Sequence, residues 1–191
     1  PPPPSPPAPF APPLPPVSPP PPSPPPPRIV STAAELREAV AENVTAVRLC
    51  LAEGAVIALA GQPIVIATGF VTIESLGKGA TIDAEGSSRA FILKQFTTLA
   101  LRRVHVRDGC TWGGEGGSEI TRGHSGGGCF LVNVGARLNL IELEVSGCRM
   151  REGDSDVTDN GHTATNPYGG AIAVYAGHVL LNRTTLRNNS A

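Results

Sequence analysis

Residues 99–106 read Leu-Ala-Leu-Arg-Arg-Val-His-Val, and their apolar pattern returns in residues 138–145, Leu-Asn-Leu-Ile-Glu-Leu-Glu-Val, and in residues 179–186, Val-Leu-Leu-Asn-Arg-Thr-Thr-Leu. The offsets between the three copies are 39 and 41 residues. A second set of apolar segments, at residues 90–93, 129–132 and 171–174, keeps step with offsets of 39 and 42. Two independent segments that share one period indicate a structural repeat.

The apolar runs are short and alternate with the period of β-strands, while Gly, Asp, Asn and Ser mark the corners between them. The strands are not joined by tight hairpin turns, so each period is expected to contribute about three strands that pair in parallel with those of the next period. The sequence therefore predicts an all-β body, a parallel β-helix of about four coils. Earlier coils fit the apolar runs at residues 47–51, 56–59, 64–66, 71–73, 81–82 and 91–93.

A capping helix is predicted over residues 31–42, ahead of the first coil. Thr32 and Glu35 form a capping box, and apolar Leu36, Ala39 and Val40 follow at helical spacing. Such a helix covers the open edge and core of the first coil. The last strand-like segment precedes Asn-Asn-Ser-Ala without a comparable cover. We expect a bare last coil there, completed by further chain or by a neighbour.

The first 27 residues hold 19 of the 21 prolines of the chain. Proline fixes φ and donates no backbone hydrogen bond, so this segment is predicted to be a polyproline II rod. The chain is thus divided into an arm, residues 1–27, and a β-helix domain, residues 28–191, with long loops at 110–128 and 147–168. The domain carries no transmembrane span. Fifteen basic against 16 acidic residues give the chain no field that would favour nucleic acid.

An extracellular location accounts for the cysteines and the glycosylation sequons together. Cys50, Cys110, Cys129 and Cys148 lack the close pairs of a zinc site, so disulfides are expected. Cys110 with Cys148 in an adjacent coil, or Cys110 with Cys129 across the glycine-rich loop, are the pairings considered. The candidate N-glycosylation sites are Asn43, Asn182 and Asn188.

Two family resemblances follow from these segments. The helix, with Val-Arg-Leu-Cys-Leu (47–51), Gly-Phe-Val-Thr-Ile-Glu-Ser (69–75) and Ala-Thr-Ile-Asp-Ala-Glu-Gly (80–86), resembles the opening of pectin-lyase-like right-handed β-helix proteins. The Ser-Pro blocks resemble the hydroxyproline-rich glycoproteins of green algal and plant matrix, such as pherophorins, extensins and mastigoneme proteins. The second resemblance implies prolyl hydroxylation and O-linked arabinose or galactose at Ser18, Pro19, Pro20, Pro21, Pro22, Ser23, Pro24, Pro25, Pro26 and Pro27.

Two loop clusters are the candidates for chemistry. Asp154, Asp156 and Asp159 form the best acidic group, a calcium site or else a solvated loop, and their spacing departs from an EF-hand. In the other loop and nearby, aromatic and basic side chains suit a sugar or a partner protein, or simply packing of the loop: Trp112, Arg122, His124 and Tyr168. No acid and base pair is recognisable, so no catalytic residue and no cofactor are assigned.

The sequence favours a structural glycoprotein subunit of an extracellular fibre or of a cell-wall or matrix assembly. In this hypothesis the arm carries O-glycans and mediates contacts between β-helix modules, and the chain assembles with itself and with matrix polysaccharide. The alternative is a polysaccharide-binding or polysaccharide-cleaving module anchored to the wall by the arm. A third possibility is an adhesin that binds another protein.

Overall fold

Three parallel sheets, which the chain visits in the same order repeatedly, form the body of the protein. The structure, a computed structural model, describes residues 1, 27–41, 45–112, 127–151 and 170–191. Among these residues sheet A contains β1 (Arg28–Val30), β2 (Ala46–Leu51), β5 (Phe70–Ser75), β8 (Thr98–Arg102), β12 (Arg137–Ile141) and β16 (His178–Asn182). Sheet B contains β3 (Val56–Ala58), β6 (Ala80–Asp83), β9 (Val104–Arg107), β13 (Glu144–Ser146) and β17 (Thr185–Arg187). Sheet C contains β4 (Ile64–Ile66), β7 (Phe91–Leu93), β11 (Phe130–Val132) and β15 (Ile172–Val174).

We call one passage through sheets A, B and C a round. Strand pairing between rounds follows the sequence repeat, since Leu99 pairs with Leu138 and Leu138 pairs with Val179. In sheet C, Phe91 pairs with Phe130 and Phe130 with Ile172, which are the offsets of 39 and 42. The predicted all-β body of parallel strands is confirmed.

The core lies between the three sheets and is built from columns of equivalent side chains. Leu99 and Leu138 from sheet A, and Val106 and Val145 from sheet B, are fully buried. The rings of Phe91 and Phe130 stack in the core with their centroids 5.5 Å apart. Side chains along each strand alternate between core and surface. Because the register pairs inward-facing residues of one round with inward-facing residues of the next, each column continues from round to round.

The columns end in exposed apolar side chains in the last described round. Leu181 continues the column of Leu101 and Leu140, which are fully buried, yet Leu181 is 44% exposed. Leu186 follows the buried Val145 in sheet B and is 43% exposed. No strand of the described residues pairs with the far edges of β15, β16 and β17.

The predicted capping helix is α1 (Ala33–Ala41), which packs against β4 and β2. It begins later than predicted because Ser31 and Thr32 form its cap. The Glu35 carboxylate accepts hydrogen bonds from the backbone N–H groups of Ser31 (2.8 Å) and Thr32 (3.2 Å), and the Thr32 hydroxyl accepts one from the Glu35 N–H. Buried Leu36, Ala39 and Val40 form its inner face.

Two short strands lie where the sequence predicted loops. β10 (Cys110–Trp112) and β14 (Arg149–Arg151) form a separate two-stranded parallel sheet. The predicted loops at 110–128 and 147–168 therefore begin too early. The cause is the repeat itself, which brings two chemically dissimilar segments, Cys-Thr-Trp and Arg-Met-Arg, into parallel register.

β1 was also not predicted. Its three residues pair with Leu49, Cys50 and Leu51 of β2, and its Val30 is fully buried. The sequence places these residues in the domain without assigning them a strand, and their pairing with the edge of sheet A identifies β1. It follows Pro27 directly.

Candidate functional site

The outward face of sheet B carries a ladder of ion pairs that cross from strand to strand. Asp83 of β6 pairs with Arg107 of β9 at 2.7 Å, and Glu144 of β13 pairs with Arg187 of β17 at 2.7 Å. These side chains are all on the outer face because their neighbours in each strand point into the core. We call this set the sheet B ladder; its members are Asp83, His105, Arg107, Glu144, Ser146 and Arg187.

His105 lies at the centre of the ladder. Its Nε2 atom is 2.8 Å from the Ser146 hydroxyl oxygen and 3.2 Å from a Glu144 carboxylate oxygen. A nucleophile relay requires the serine and the acid to engage opposite nitrogens of the imidazole ring. Here both partners approach the same nitrogen, so the arrangement is a polar cluster and not a Ser-His-acid triad. His105 thus has two side-chain partners from the neighbouring strand.

The carboxylate of Glu144 is stabilised in its ionised form. Desolvation by neighbouring atoms raises its pKa. The hydrogen bond from Arg187, the charges of His105 and Arg187, and the hydrogen bond from Ser146 lower the pKa, and together they outweigh the desolvation. The net effect is a lowered pKa. Glu144 is therefore a poor proton donor at neutral pH, which argues against a role as general acid.

A second column of charges lies at the corner where the chain passes from sheet A to sheet B. Arg103, Glu142 and Arg183 occupy the same place in three successive rounds, and each adopts a left-handed backbone conformation, with φ of 54°, 55° and 51°. Glu142 is within 3.4 Å of Arg183 and within 3.6 Å of Arg102. The single left-handed residue turns the chain sharply, so its side chain projects outward from the corner.

A shallow groove of about 600 Å³ lies beside this column. Lys78, Arg103 and Arg183 give it three permanent positive charges, and Glu142 and Glu144 give it two carboxylates. The exposed guanidinium and ammonium groups are suited to carboxylate or sulfate groups of an extended chain. The groove is the candidate binding site of the described body.

Sequence analysis missed the groove, although the repeat contained the signal for it. Arg103, Glu142 and Arg183 are separated by 39 and 41 residues, the same offsets as the apolar segments. Aligning the polar positions of the repeat as well as the apolar ones identifies the column. The charges of the column could be predicted from this alignment. The adjacent Lys78 lies in a corner of different length, so only the structure shows that it lines the groove.

The disulfide joins Cys129 to Cys148, with a Cα–Cα distance of 5.4 Å. Both pairings considered from the sequence, Cys110 with Cys148 and Cys110 with Cys129, are wrong, and Cys50 and Cys110 are buried free thiols. The reason is register. Cys110 pairs with Arg149, so the residue preceding Cys110, Gly109, is the one that lies beside Cys148.

Gly109 is required by the disulfide. A Cβ atom at this position would lie 2.6 Å from the Cys129 sulfur and would also contact the carbonyl oxygen of Gly128. The missing side chain leaves the space that the bridge occupies. Thus the crosslink joins the residue before β11 to the residue before β14, and it does not involve β10.

The remaining predicted site residues fall into two groups. Asn182 and Asn188 are exposed, as N-glycosylation requires, and Asn182 is the last residue of β16. Trp112 ends β10, and Pro27 is exposed. Lying outside the described residues are Asn43, Arg122, His124, Asp154, Asp156, Asp159, Tyr168 and the arm positions Ser18, Pro19, Pro20, Pro21, Pro22, Ser23, Pro24, Pro25 and Pro26.

In the described part of the chain no group of three or more His, Cys, Asp or Glu side chains is arranged to hold a metal ion. Nor does that part contain a helix long and apolar enough to cross a membrane. Comparisons of the chain with known protein families, with curated proteins and with solved structures return no match.

Proposed function

We propose that the chain is a structural glycoprotein subunit of an extracellular fibre or of a cell-wall or matrix assembly. Its body is a right-handed parallel β-helix, and its arm is a polyproline II rod that carries O-glycans on hydroxyproline and serine. The arm connects the body to other copies and to matrix polysaccharide.

The observation that carries this proposal is the junction between arm and body. β1 begins at Arg28, immediately after Pro27, and is the edge strand of six-stranded sheet A. A force applied through the arm acts along β1 and loads its hydrogen bonds with β2 in shear, so that they resist together and not one after another. Arg28 also pairs with Glu38 of α1 at 3.2 Å, which ties the junction to the helix.

Two further features support a glycosylated, self-associating subunit. Asn182 is exposed, so its side-chain amide is accessible from solvent, as N-glycosylation requires. The exposed core columns at Leu181 and Leu186 suit a further layer of parallel strands, whether from continuing chain or from another copy.

Electron microscopy of the purified chain, with and without residues 1–27, tests the proposal. We expect fibres or layers from the full chain and dispersed bodies with unchanged circular dichroism from the shortened chain. Mass spectrometry of protein secreted by a plant or algal host should show hydroxyproline and pentose or hexose additions on the arm. Dispersed particles of the full chain at every concentration, with an unmodified arm, would refute the proposal.

The alternative, a module that binds or cleaves acidic polysaccharide, is favoured by one feature, the groove beside Arg103. Three cationic side chains line it, Lys78 together with Arg103 and Arg183 of the column. Incubation with polyuronates distinguishes the two versions of this alternative. Retention without new chain ends indicates binding, and new unsaturated or reducing ends indicate cleavage. If neither retention nor new ends are observed, the alternative is refuted and only the structural role remains.

A further inference from the structure

The corner where the chain passes from sheet C to sheet A exposes large apolar side chains in three successive rounds. Phe96 is 76% exposed, and Phe70 and Val134 are each 44% exposed. Phe96 precedes β8 and donates its backbone N–H to the Val134 carbonyl before β12, while Phe70 begins β5 beside Thr98, two residues past Phe96, so the three residues lie on one corner in successive rounds at slightly different points of it. We call them the apolar corner. Such a strip of large exposed apolar side chains indicates a contact surface.

Phe96 has an unfavourable backbone conformation for its residue type. Its φ is 60°, in the left-handed region that costs a bulky residue about 1–2 kcal/mol. At the same point of the next two rounds the chain has the small residues Gly135 and Ala176, with φ of 68° and 50°. The turn therefore favours a small residue, and the sequence has a phenylalanine there.

Folding does not account for this phenylalanine. Its ring lies over Gly135, where a Cβ atom would come within 2.5 Å of a ring carbon, but most of the ring remains in water. The exposed ring thus returns little burial energy against the backbone strain. Strained residues that the fold does not need cluster at binding sites.

A polyproline II helix fits the apolar corner in spacing and in chemistry. Three residues of such a helix rise about 9.3 Å, and two rounds of stacked strands rise about 9.6 Å, so prolines three residues apart come level with every second round of the body. Proline rings pack on aromatic faces in this mode of recognition. Proline carbonyls also need donors, and the amide of the exposed Gln95, beside Phe96, supplies N–H groups.

The arm of a second copy suits this strip better than the arm of the same copy. Arg28 pairs with Leu49 in parallel, so the arm leaves β1 on the side where β2 begins, in the direction of the strands. The four prolines at 24–27 are predicted to hold the arm straight. It would cross its own corner at a right angle to the strip, whereas the arm of a neighbour can lie along it.

We propose that the apolar corner, Phe70, Phe96 and Val134 with the amide of Gln95, binds the proline-rich arm of a second copy of this chain as a polyproline II helix. This inference rests on the proposed function, from which it takes the arm as a contact between copies. It adds the surface that receives the arm.

Photocrosslinking in the full chain tests the inference. Unlabelled and ¹⁵N-labelled chains, each with p-benzoylphenylalanine at position 96, are mixed, irradiated and digested with trypsin. Cleavage after Arg28 releases the arm, and cleavage after Lys94 and Arg102 releases residues 95–102. We expect crosslinks between these two peptides with mixed isotope content. The same photoreactive residue at position 76, on the corner between sheets A and B where Leu76 is 47% exposed, is the matched control. Crosslinks within single chains only, with other peptides only, or no more frequent than at position 76 would overturn the inference.

A binding measurement uses a variant that keeps the fold. In Phe96→Asn the new residue tolerates the left-handed conformation, so the protein should unfold at or above the parent temperature. Its affinity for a fluorescent peptide of residues 1–27 should fall about tenfold, as expected when an aromatic anchor is lost. Leu76→Asn should leave the affinity unchanged. Equal affinity of Phe96→Asn and the parent, or no saturable binding of the peptide by the parent, would overturn the inference.

Electron microscopy of the same samples separates this inference from the proposed function. Fibres that form without crosslinks at position 96 would overturn the inference and retain the structural role. Crosslinks between copies in samples without fibres would retain the binding surface and refute the fibre.

Discussion

Replacing equivalent leucines in successive rounds measures directly how far the core extends. Leu101, Leu140 and Leu181 occupy one column, and the first two are fully buried while Leu181 is 44% exposed. Leu140→Ala removes a fully buried side chain and leaves a cavity between two packed rounds, which should lower the free energy of unfolding by about 3–4 kcal/mol. Leu101→Ala should cost a similar amount.

Leu181→Ala should cost much less. About half of its side chain is in water, and the space left by the substitution opens to solvent, so the cavity contribution is absent. Burial of half a leucine is worth about 1 kcal/mol.

Urea unfolding followed by far-ultraviolet circular dichroism, at a protein concentration below assembly, measures all three variants. The slope of the unfolding free energy against urea concentration should be the same for each variant, so that differences in the urea midpoint report differences in stability. Equal losses for Leu140→Ala and Leu181→Ala would refute the reasoning, because they would show that the last round is covered in solution. If assembly covers this surface, the cost of Leu181→Ala should rise at concentrations that form fibres.

Three further predictions concern a corner, a carboxylate and the thiols. Gly128→Ala places a Cβ atom 2.5 Å from backbone atoms of Arg149 and 2.6 Å from the Gly170 carbonyl, so it should destabilise the fold by about 3 kcal/mol. Gly86→Ala is the control: Gly86 has a φ of 65° but open space around it, so the loss should be about 1 kcal/mol. Thermal unfolding of the two variants measures the difference. Because the folded-state pKa of Glu144 is lowered, its ionised form stabilises the protein above the ordinary carboxyl range, and that contribution is lost as the pH falls below that range and through the lowered folded-state pKa. Glu144→Gln should flatten this part of the stability profile, and an unchanged profile would contradict the assignment. Cys50 and Cys110 should react with Ellman's reagent only as fast as the protein unfolds, since both are buried and burial, with the nearby Glu74 charge, raises the pKa of Cys50; rapid labelling of the native chain would show that these strands open locally.

Most of the repeat could be predicted from the sequence because the apolar residues of each strand recur with a fixed period. Residues 99–106 and 138–145 contain the alternation that buries one face of each strand, and the structure pairs them in the expected register. The capping box of α1 was equally readable, since Thr32 and Glu35 bond to each other through local backbone contacts. Both patterns depend on interactions within a few residues or on a strict period.

Features that depend on register between unlike segments could not be predicted. Cys110 and Cys148 each follow a repeated strand, which suggests that they stack, but the pairing of Cys110 with Arg149 shifts the alignment by one residue and gives the bridge to Cys129. A shift of one residue reverses the face of every side chain in a strand. β1 escaped detection for a related reason, because three residues have no period of their own.

The junction at Arg28 connects the two halves of the molecule in mechanical terms. A polyproline rod is stiff along its axis because its φ angles are fixed, and a parallel sheet is stiff along its strands because its hydrogen bonds share a shear load. If the arm is the proposed polyproline II rod, its junction with β1 would align the two stiff directions, and the burial of Val30 with the Arg28–Glu38 ion pair would hold that alignment. Because Arg28 pairs with Leu49 in parallel, β1 starts on the side where β2 begins. In the proposed assembly this one geometric feature, the parallel pairing of β1 with β2, would carry tension into the body and would leave the length of the apolar corner to the arm of another copy.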